Sequence, residues 1–235
     1  MGVRIGEEAL RIAESLKHPF SIGYAAMVLA AMHTVRGDFE SAASLCERGI
    51  AQGGEAALGF LLPWLSGFLG YAQLFLGAAE KGLPSIRRAV ETQTAMGFRN
   101  YLSWFVGMLA EGLLLEGRCD DAHREAERAL SLARECGERR CEASLHRLLG
   151  EIAAARLPLS LEIAEAHYTQ GLDLATQIGA RPVVAQCHLG LGALLRRRGN
   201  SDAAGPHITS AASLFREMGM RYWLEKAEAE LQALP

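Results

Sequence analysis

Residues 55–81 read EAALGFLLPWLSGFLGYAQLFLGAAEK, and the 24 residues from Ala56 to Ala79 carry no charge. A bilayer span needs roughly 20 apolar residues. The stretch is therefore either a membrane helix or one buried element of a soluble chain. Its own content argues for burial. It holds Pro63, Ser66, Tyr71, Gln73 and four glycines, and its flanks are Glu55 on one side and Glu80-Lys81 on the other. No asymmetry of positive charge orients it in a membrane.

Its register with the rest of the chain decides the matter. Leu69-Gly70, inside the stretch, has counterparts at Leu29-Ala30, Leu109-Ala110, Leu149-Gly150 and Leu191-Gly192. The period is constant at about 40 residues and lengthens by two only in the last interval. A second column of small residues runs Ala9, Gly49, Ala89, Ala129, Gly171, Ala211, and a third lies seven residues before it at Ala42, Gly82, Ala122, Ala164, Ala204. Glycines recur eight residues after the second column, at Gly97, Gly137, Gly179 and Gly219. Others recur twelve before it, at Gly37, Gly77, Gly117 and Gly199. In the fourth repeat Leu157-Pro158-Leu159-Ser160 replaces that turn, and the two extra residues are expected there. The siblings of the uncharged stretch carry charge and cannot be membrane spans, so the stretch reads as one helix of a repeat.

Each unit then consists of a helix A carrying Leu-small, a glycine turn, and a helix B carrying two small residues seven apart. Glycine suits the turns because it accepts positive φ. Small residues seven apart share one helix face and let a neighbouring helix approach. Such a hairpin buries its apolar face only by stacking on the next one. The spacing predicts helix A at 20–36, 60–76, 99–116, 139–156 and 181–198. It predicts helix B at 3–17, 38–52, 80–96, 119–136, 160–178 and 201–218, and a last amphipathic helix at 221–234. Pro63 falls near a helix start, where it costs little.

The bulk properties agree. Of the 235 residues 50% are hydrophobic, ample for a sizeable core. Ala, Leu, Glu and Arg dominate, all strong helix formers, and no alternating strand pattern appears. The net charge of −3 gives no basic surface for nucleic acid. Cys46, Cys119, Cys136, Cys141 and Cys187 form no CxxC pair and are odd in number, which fits a reducing cytoplasm rather than a disulfide framework. No signal peptide opens the chain.

The columns resemble the tetratricopeptide repeat, with its Leu-Gly in helix A and two alanines seven apart in helix B. The likeness covers essentially the whole chain. The period is longer than that family's unit of roughly 34 residues. Each helix is therefore expected to be longer by about a turn, and the family's regular helix-terminal proline is lacking. The resemblance implies an all-α fold, a right-handed α-solenoid of about five hairpins forming one domain over 1–235. Residues 1–19 would be a leading B-type helix, 20–219 five A/B hairpins and 220–235 a terminal cap. The segment 164–234 resembles the C-terminal repeat regions of bacterial signalling ATPases, including those with a cyclase domain and relatives of MalT-type transcription activators.

In that family helix A lines a concave groove. The positions five before, two before and two after the Leu of Leu-small are the ones expected to face it. They include Tyr24, Met27, Trp64, Tyr71, Trp104, Glu111, Arg147, Glu151 and Gln186. Gly67 and Gly107 are expected to leave space beside the two tryptophan rings. One reading is a groove with an aromatic floor and a charged end, suited to a peptide or a small amphipathic ligand. The other is that the rings fill gaps between adjacent A helices, and that Arg147 and Glu151 simply pair along one helix. The family's Lys/Asn carboxylate clamp has no counterpart, since Met27 and Ala31 stand at those positions.

Catalytic motifs are absent: there is no GxxxxGK[ST], HExxH or GxSxG. Gly190-x-Gly192 sits inside a helix without the strand a dinucleotide fingerprint needs. Seven histidines are scattered singly along the sequence, which gives no metal-ligand spacing. The Arg139-Arg140 and Arg196–Arg198 runs read as solvated helix ends. The expectation is a non-enzymatic cytoplasmic interaction module with no cofactor, metal, membrane or nucleic-acid partner. It would bind a protein or peptide segment in the groove and serve as regulator or scaffold. The alternative is a small-molecule sensor domain controlling an attached ATPase, cyclase or transcription-regulator output. The chain opens on a B-type helix without its A partner. It is therefore expected to be part of a longer protein, or to pair residues 1–17 with another subunit, a homo-oligomer through its ends.

Overall fold

The computed structural model describes residues 2–53, 59–156 and 161–234. The expected two-residue insertion at 157–160 and the start of the uncharged stretch, 55–58, lie outside them. The described residues are all-α, in consecutive helix pairs. The chain divides into two compact units, Met1–Phe98 and Arg99–Pro235.

The first unit contains α1 (Gly2–Ser15), α2 (Pro19–Arg36), α3 (Phe39–Gly53), α4 (Leu62–Phe75) and α5 (Ala79–Ala95). The second contains α6 (Leu102–Leu115), α7 (Cys119–Glu135), α8 (Arg139–Ala155), α9 (Leu161–Gln177), α10 (Arg181–Arg197), α11 (Ser201–Met218) and α12 (Arg221–Gln232). In each unit every helix packs on the next, and the A helices also touch one another: α2 with α4, and α6 with α8, α8 with α10, α10 with α12. The B helices therefore sit to one side of a row of A helices.

The uncharged stretch forms α4, only 14 residues long, with Pro63 in its first turn. Among the described residues no helix is long and apolar enough to cross a membrane. The turn glycines match the expectation: Gly37, Gly77, Gly97, Gly117, Gly137, Gly179, Gly199 and Gly219 all have φ between 64° and 80°. At that φ any other residue would be strained. Helix bounds shift by a residue or two in several places, and the largest shift is at α6. Helix α6 begins at Leu102, not at 99, because Tyr101 takes a left-handed φ of 59° and ends the turn. Glu138 from the next hairpin accepts a hydrogen bond from the Tyr101 backbone N–H and another from the Ser103 hydroxyl, so a borrowed carboxylate caps this helix.

The small columns are where helices touch. A Cβ on Gly82 would lie 2.5 Å from the Gly70 carbonyl oxygen, and one on Gly70 would lie 2.7 Å from the Gly82 oxygen. In the second unit Gly150 and Gly190 close on the Tyr168 ring, at 2.9 and 2.3 Å from a built Cβ, and Gly192 receives Ile208 at 2.4 Å. The Gly190-x-Gly192 pair is thus explained by packing. Gly82→Ala should cost a net of about 2 kcal/mol, because overpacking against rigid backbone outweighs the propensity gained by losing a helical glycine. Gly6→Ala should cost less, because the atoms met belong to the Leu29 side chain, the nearest at 2.6 Å, rather than to backbone. Urea denaturation of the two variants checks the difference.

Candidate functional site

The expected groove residues divide between the two units, and each group is set by its own A helices. In the first unit Tyr24 is 49% exposed and stacks on Phe20, ring centroids 6.3 Å apart. Met27 and Trp64 are half-buried. Tyr71 is buried, with its ring 5.0 Å from Phe75 and 6.2 Å from Phe39. This tyrosine is part of the core between α3 and α4, a helix B and the helix A that follows it, rather than between adjacent A helices.

In the second unit Trp104 is half-buried, and the Arg140 guanidinium lies over its ring at 5.5 Å. Tyr101 meets the same ring edge-on at 6.5 Å. Arg140 therefore has an aromatic partner, a contact of about 0.5–1 kcal/mol at an exposed site. The expected space beside Gly107 is taken by Leu145, whose Cδ2 would lie 3.0 Å from a Cβ there.

Glu111, Arg147 and Glu151 come together as one cluster. Arg147 donates to Glu151 Oε1 at 2.6 Å along α8 and to Glu111 Oε1 at 3.3 Å across to α6. Arg147 and Glu111 are buried, whereas the Glu151 side chain keeps about a third of its surface, 31%. The sequence reading had Arg147 and Glu151 as a pair; the third member adds a desolvated, cross-helix charge contact that a surface pair lacks. Burial pushes the Glu151 carboxyl up, the Glu111 charge pushes it further, and Arg147 and Lys226 oppose the shift. Behind the cluster, burial raises the Tyr168 hydroxyl well above its usual range and pushes the Cys187 thiol up to about 12, so neither ionises at neutral pH.

Gln186 is half-buried on α10. One repeat further on, Lys226 of α12 occupies the same position in the register and packs its Nζ 4.7 Å from the Tyr222 ring and 5.4 Å from the Trp223 ring. Sequence reasoning stopped the groove column at the fifth repeat; continuing the period by one step would have found Lys226. A second missed column runs Arg99, Arg139, Arg181. Each reaches the end of its own hairpin's B helix, pairing with Glu135, Gln177 and Glu217. Arg139 and Arg181, in the first turns of their helices, and Arg99, just before α6, face the carboxyl-terminal end of a neighbouring helix, which offsets the disfavour of a helix start for cations.

The histidines are not all solitary. His146 on α8 and His167 on α9 bring their Nδ1 atoms to 3.2 Å, and His188 on α10 and His207 on α11 bring theirs to 2.9 Å. The two pairs occupy equivalent places in successive hairpins. Sequence spacing hides them because the partners are 21 and 19 residues apart, on different helices. Among the described residues no three metal-binding side chains converge.

No family model and no curated protein sequence matches the chain. Among solved structures, the chain resembles the Signal Transduction ATPase with Numerous Domains (STAND) protein with a tetratricopeptide repeat sensor from Pyrococcus horikoshii. The TM-score is 0.68 at 18% identity, over 97% of this chain and 34% of that one. The chain thus spans about a third of that protein. It also resembles BtubC (BKLC) from P. vanneervenii, with a TM-score of 0.64 at 16% identity, over 92% of this chain and 91% of that one. The likeness is one of fold.

Proposed function

We propose that the chain is a non-enzymatic regulatory or scaffold module that binds a peptide or protein segment along the A-helix face of its second unit. The observation that carries this reading is the combination on that face of an aromatic platform and a rigid charge cluster. Trp104 and Tyr101 with Arg140 supply apolar area and a cation. Glu111, Arg147 and Glu151 supply fixed polar groups, Glu151 being the most exposed of the three. Large rings beside a few positioned charges are the usual composition of a recognition surface.

A second reading is a small-molecule sensor controlling an attached ATPase, cyclase or transcription-regulator output. Its support is the tetratricopeptide repeat sensor carried by the Pyrococcus horikoshii ATPase. A cytoplasmic setting accompanies either reading.

Selection of a random peptide library on the full chain tests the first reading. The expected result is a shared sequence motif whose affinity drops by about tenfold or more in Trp104→Ala and in Glu151→Ala. Trp104 is partly open to solvent, so its variant should change the melting temperature little, whereas Glu151→Ala also removes an ion-pair partner of the buried Arg147 and should lower it. Selected peptides that ignore both variants would move the binding surface elsewhere. Native mass spectrometry of the purified chain addresses the second reading: bound excess mass favours a small-molecule ligand.

A further inference from the structure

The first unit contains a cleft of about 540 Å³, walled by α1 and α3 and floored by α2. That volume suits a small molecule. Leu10, Leu29 and Leu45 give the cleft an apolar base, and the first two are buried. Its charged lining residues are Glu7 and Glu14 against Arg11 and Arg48, a balanced set. Arg48 Nη2 and Glu14 Oε1 meet at 2.9 Å, both side chains partly open, so one charge of each sign stands side by side between the walls. The cleft is a property of the hairpin, not of the place of α1 in the chain. One repeat on, Glu47, Ile50 and Ala51 take the positions of Glu7, Leu10 and Arg11, and none of them is buried although α2 precedes that helix. His33 adds a polar group to the base. It is 9% exposed and lines the cleft. Its Nδ1 lies 2.8 Å from Asp38 Oδ2. Burial favours a neutral Asp38 carboxyl, but hydrogen bonds from Ser41 and His33 outweigh it and hold the group below its usual range. An ionised carboxylate only accepts, so the proton of this bond sits on His33 Nδ1. The side chain makes no other hydrogen bond among the described residues, which leaves Nε2 as the atom it offers the cleft. A polar atom so deeply set calls for a partner.

We propose that this cleft binds a small zwitterion with an apolar side chain, of the size of a hydrophobic amino acid or dipeptide. The balanced lining creates no net field, which disfavours a ligand that is only an anion or only a cation. Glu14 and Arg48 match an ammonium and a carboxylate held close together, and exchanging their mutual contact for the ligand leaves every charge paired. The ligand's apolar side chain lies on Leu10, Leu29 and Leu45 and is removed from water there. Its ammonium donates to His33 Nε2, and the Ser44 hydroxyl on the α3 wall donates to its carboxylate. The site is built on α1, α2 and α3 alone and is independent of the surface proposed for the second unit.

Nuclear magnetic resonance titration of the full chain with leucine, phenylalanine and the dipeptide Leu-Leu, up to about 10 mM, tests the site. The expected result is saturable shifts at the cleft residues with at least one of the three. 4-Methylpentanoate lacks the ammonium of leucine and 3-methylbutylamine lacks its carboxylate, so each should bind more weakly by about tenfold or more. Arg48→Gln and Ser44→Arg, both at exposed positions, should each weaken binding by about tenfold or more while the melting temperature changes little. Absence of saturable shifts with all three ligands overturns the proposal. Equal binding of the two truncated compounds overturns the zwitterion as the ligand class. Binding indifferent to both variants overturns the cleft as its site.

Discussion

Arg147→Met is expected to destabilise the second unit by about 3–5 kcal/mol, the cost of taking the cation away from a buried carboxylate. The replacement is of similar length and apolar, so packing is largely kept and the effect isolates charge. Glu111 is buried on α6, and burial raises the Glu151 carboxyl, so both carboxylates carry the loss. Adding Glu111→Gln or Glu151→Gln to Arg147→Met should therefore each recover part of the stability. Urea unfolding followed by far-ultraviolet circular dichroism measures all three. A loss below about 1 kcal/mol for Arg147→Met would mean that the cluster behaves as a solvated surface pair.

Acid is expected to weaken the same unit well before its carboxylates titrate. Burial, then the positive charges of His167 and Arg134, hold His146 down to about 4, with Glu142 opposing. Burial also lowers His167, which faces Glu127, His123 and Arg134, and lowers His188, which faces His207. A histidine depressed in the folded state binds its proton more readily when unfolded. Its stabilising contribution is complete above the unfolded value near 6.5 and falls with pH through that value until the folded value is reached. For His146 the window is about 6.5 to about 4, and the loss is at most about 3 kcal/mol, with His167 and His188 adding in the same direction. Glu151, raised, works the other way at the lower end of the window. Asp38 in the first unit, lowered by hydrogen bonds from Ser41 and His33 against the effect of burial, loses its contribution only below the ordinary aspartate value. Chemical denaturation at pH 7 and pH 4.5 should show the fall, and His146→Leu with His188→Leu should flatten it. A wild-type stability that is level across that interval would remove the histidine pairs as its cause.

The repeat was legible because its columns mark places where physics permits few residues. Eight turn positions need positive φ, and the A–B contacts at Gly70 and Gly82 or at Gly192 and Ile208 leave no room for a further side chain. Those demands return with the hairpin period, so they show in a single sequence. The exceptions to the helix bounds have local causes, as at Tyr101, where Glu138 secures the turn from the next hairpin. The site was less legible. Glu111 with Arg147, the histidine pairs and Arg140 over Trp104 each join different helices. Which residues of two columns meet depends on rotation and offset that the period alone does not supply. Tyr71 shows the converse difficulty: a ring in the groove column can still turn into the core when Phe39 and Phe75 offer it a pocket.

The evenly spaced left-handed glycines bear on how the molecule is made. Within each unit a helix finds its partners in the hairpins just before and just after it, so the emerging polypeptide gains one more closed layer with each repeat synthesised. At the usual pace of about 5–20 residues per second, a hairpin is released every few seconds. That is far longer than helices and short loops need to form. Assembly can thus keep step with translation, each new layer settling on one already in place.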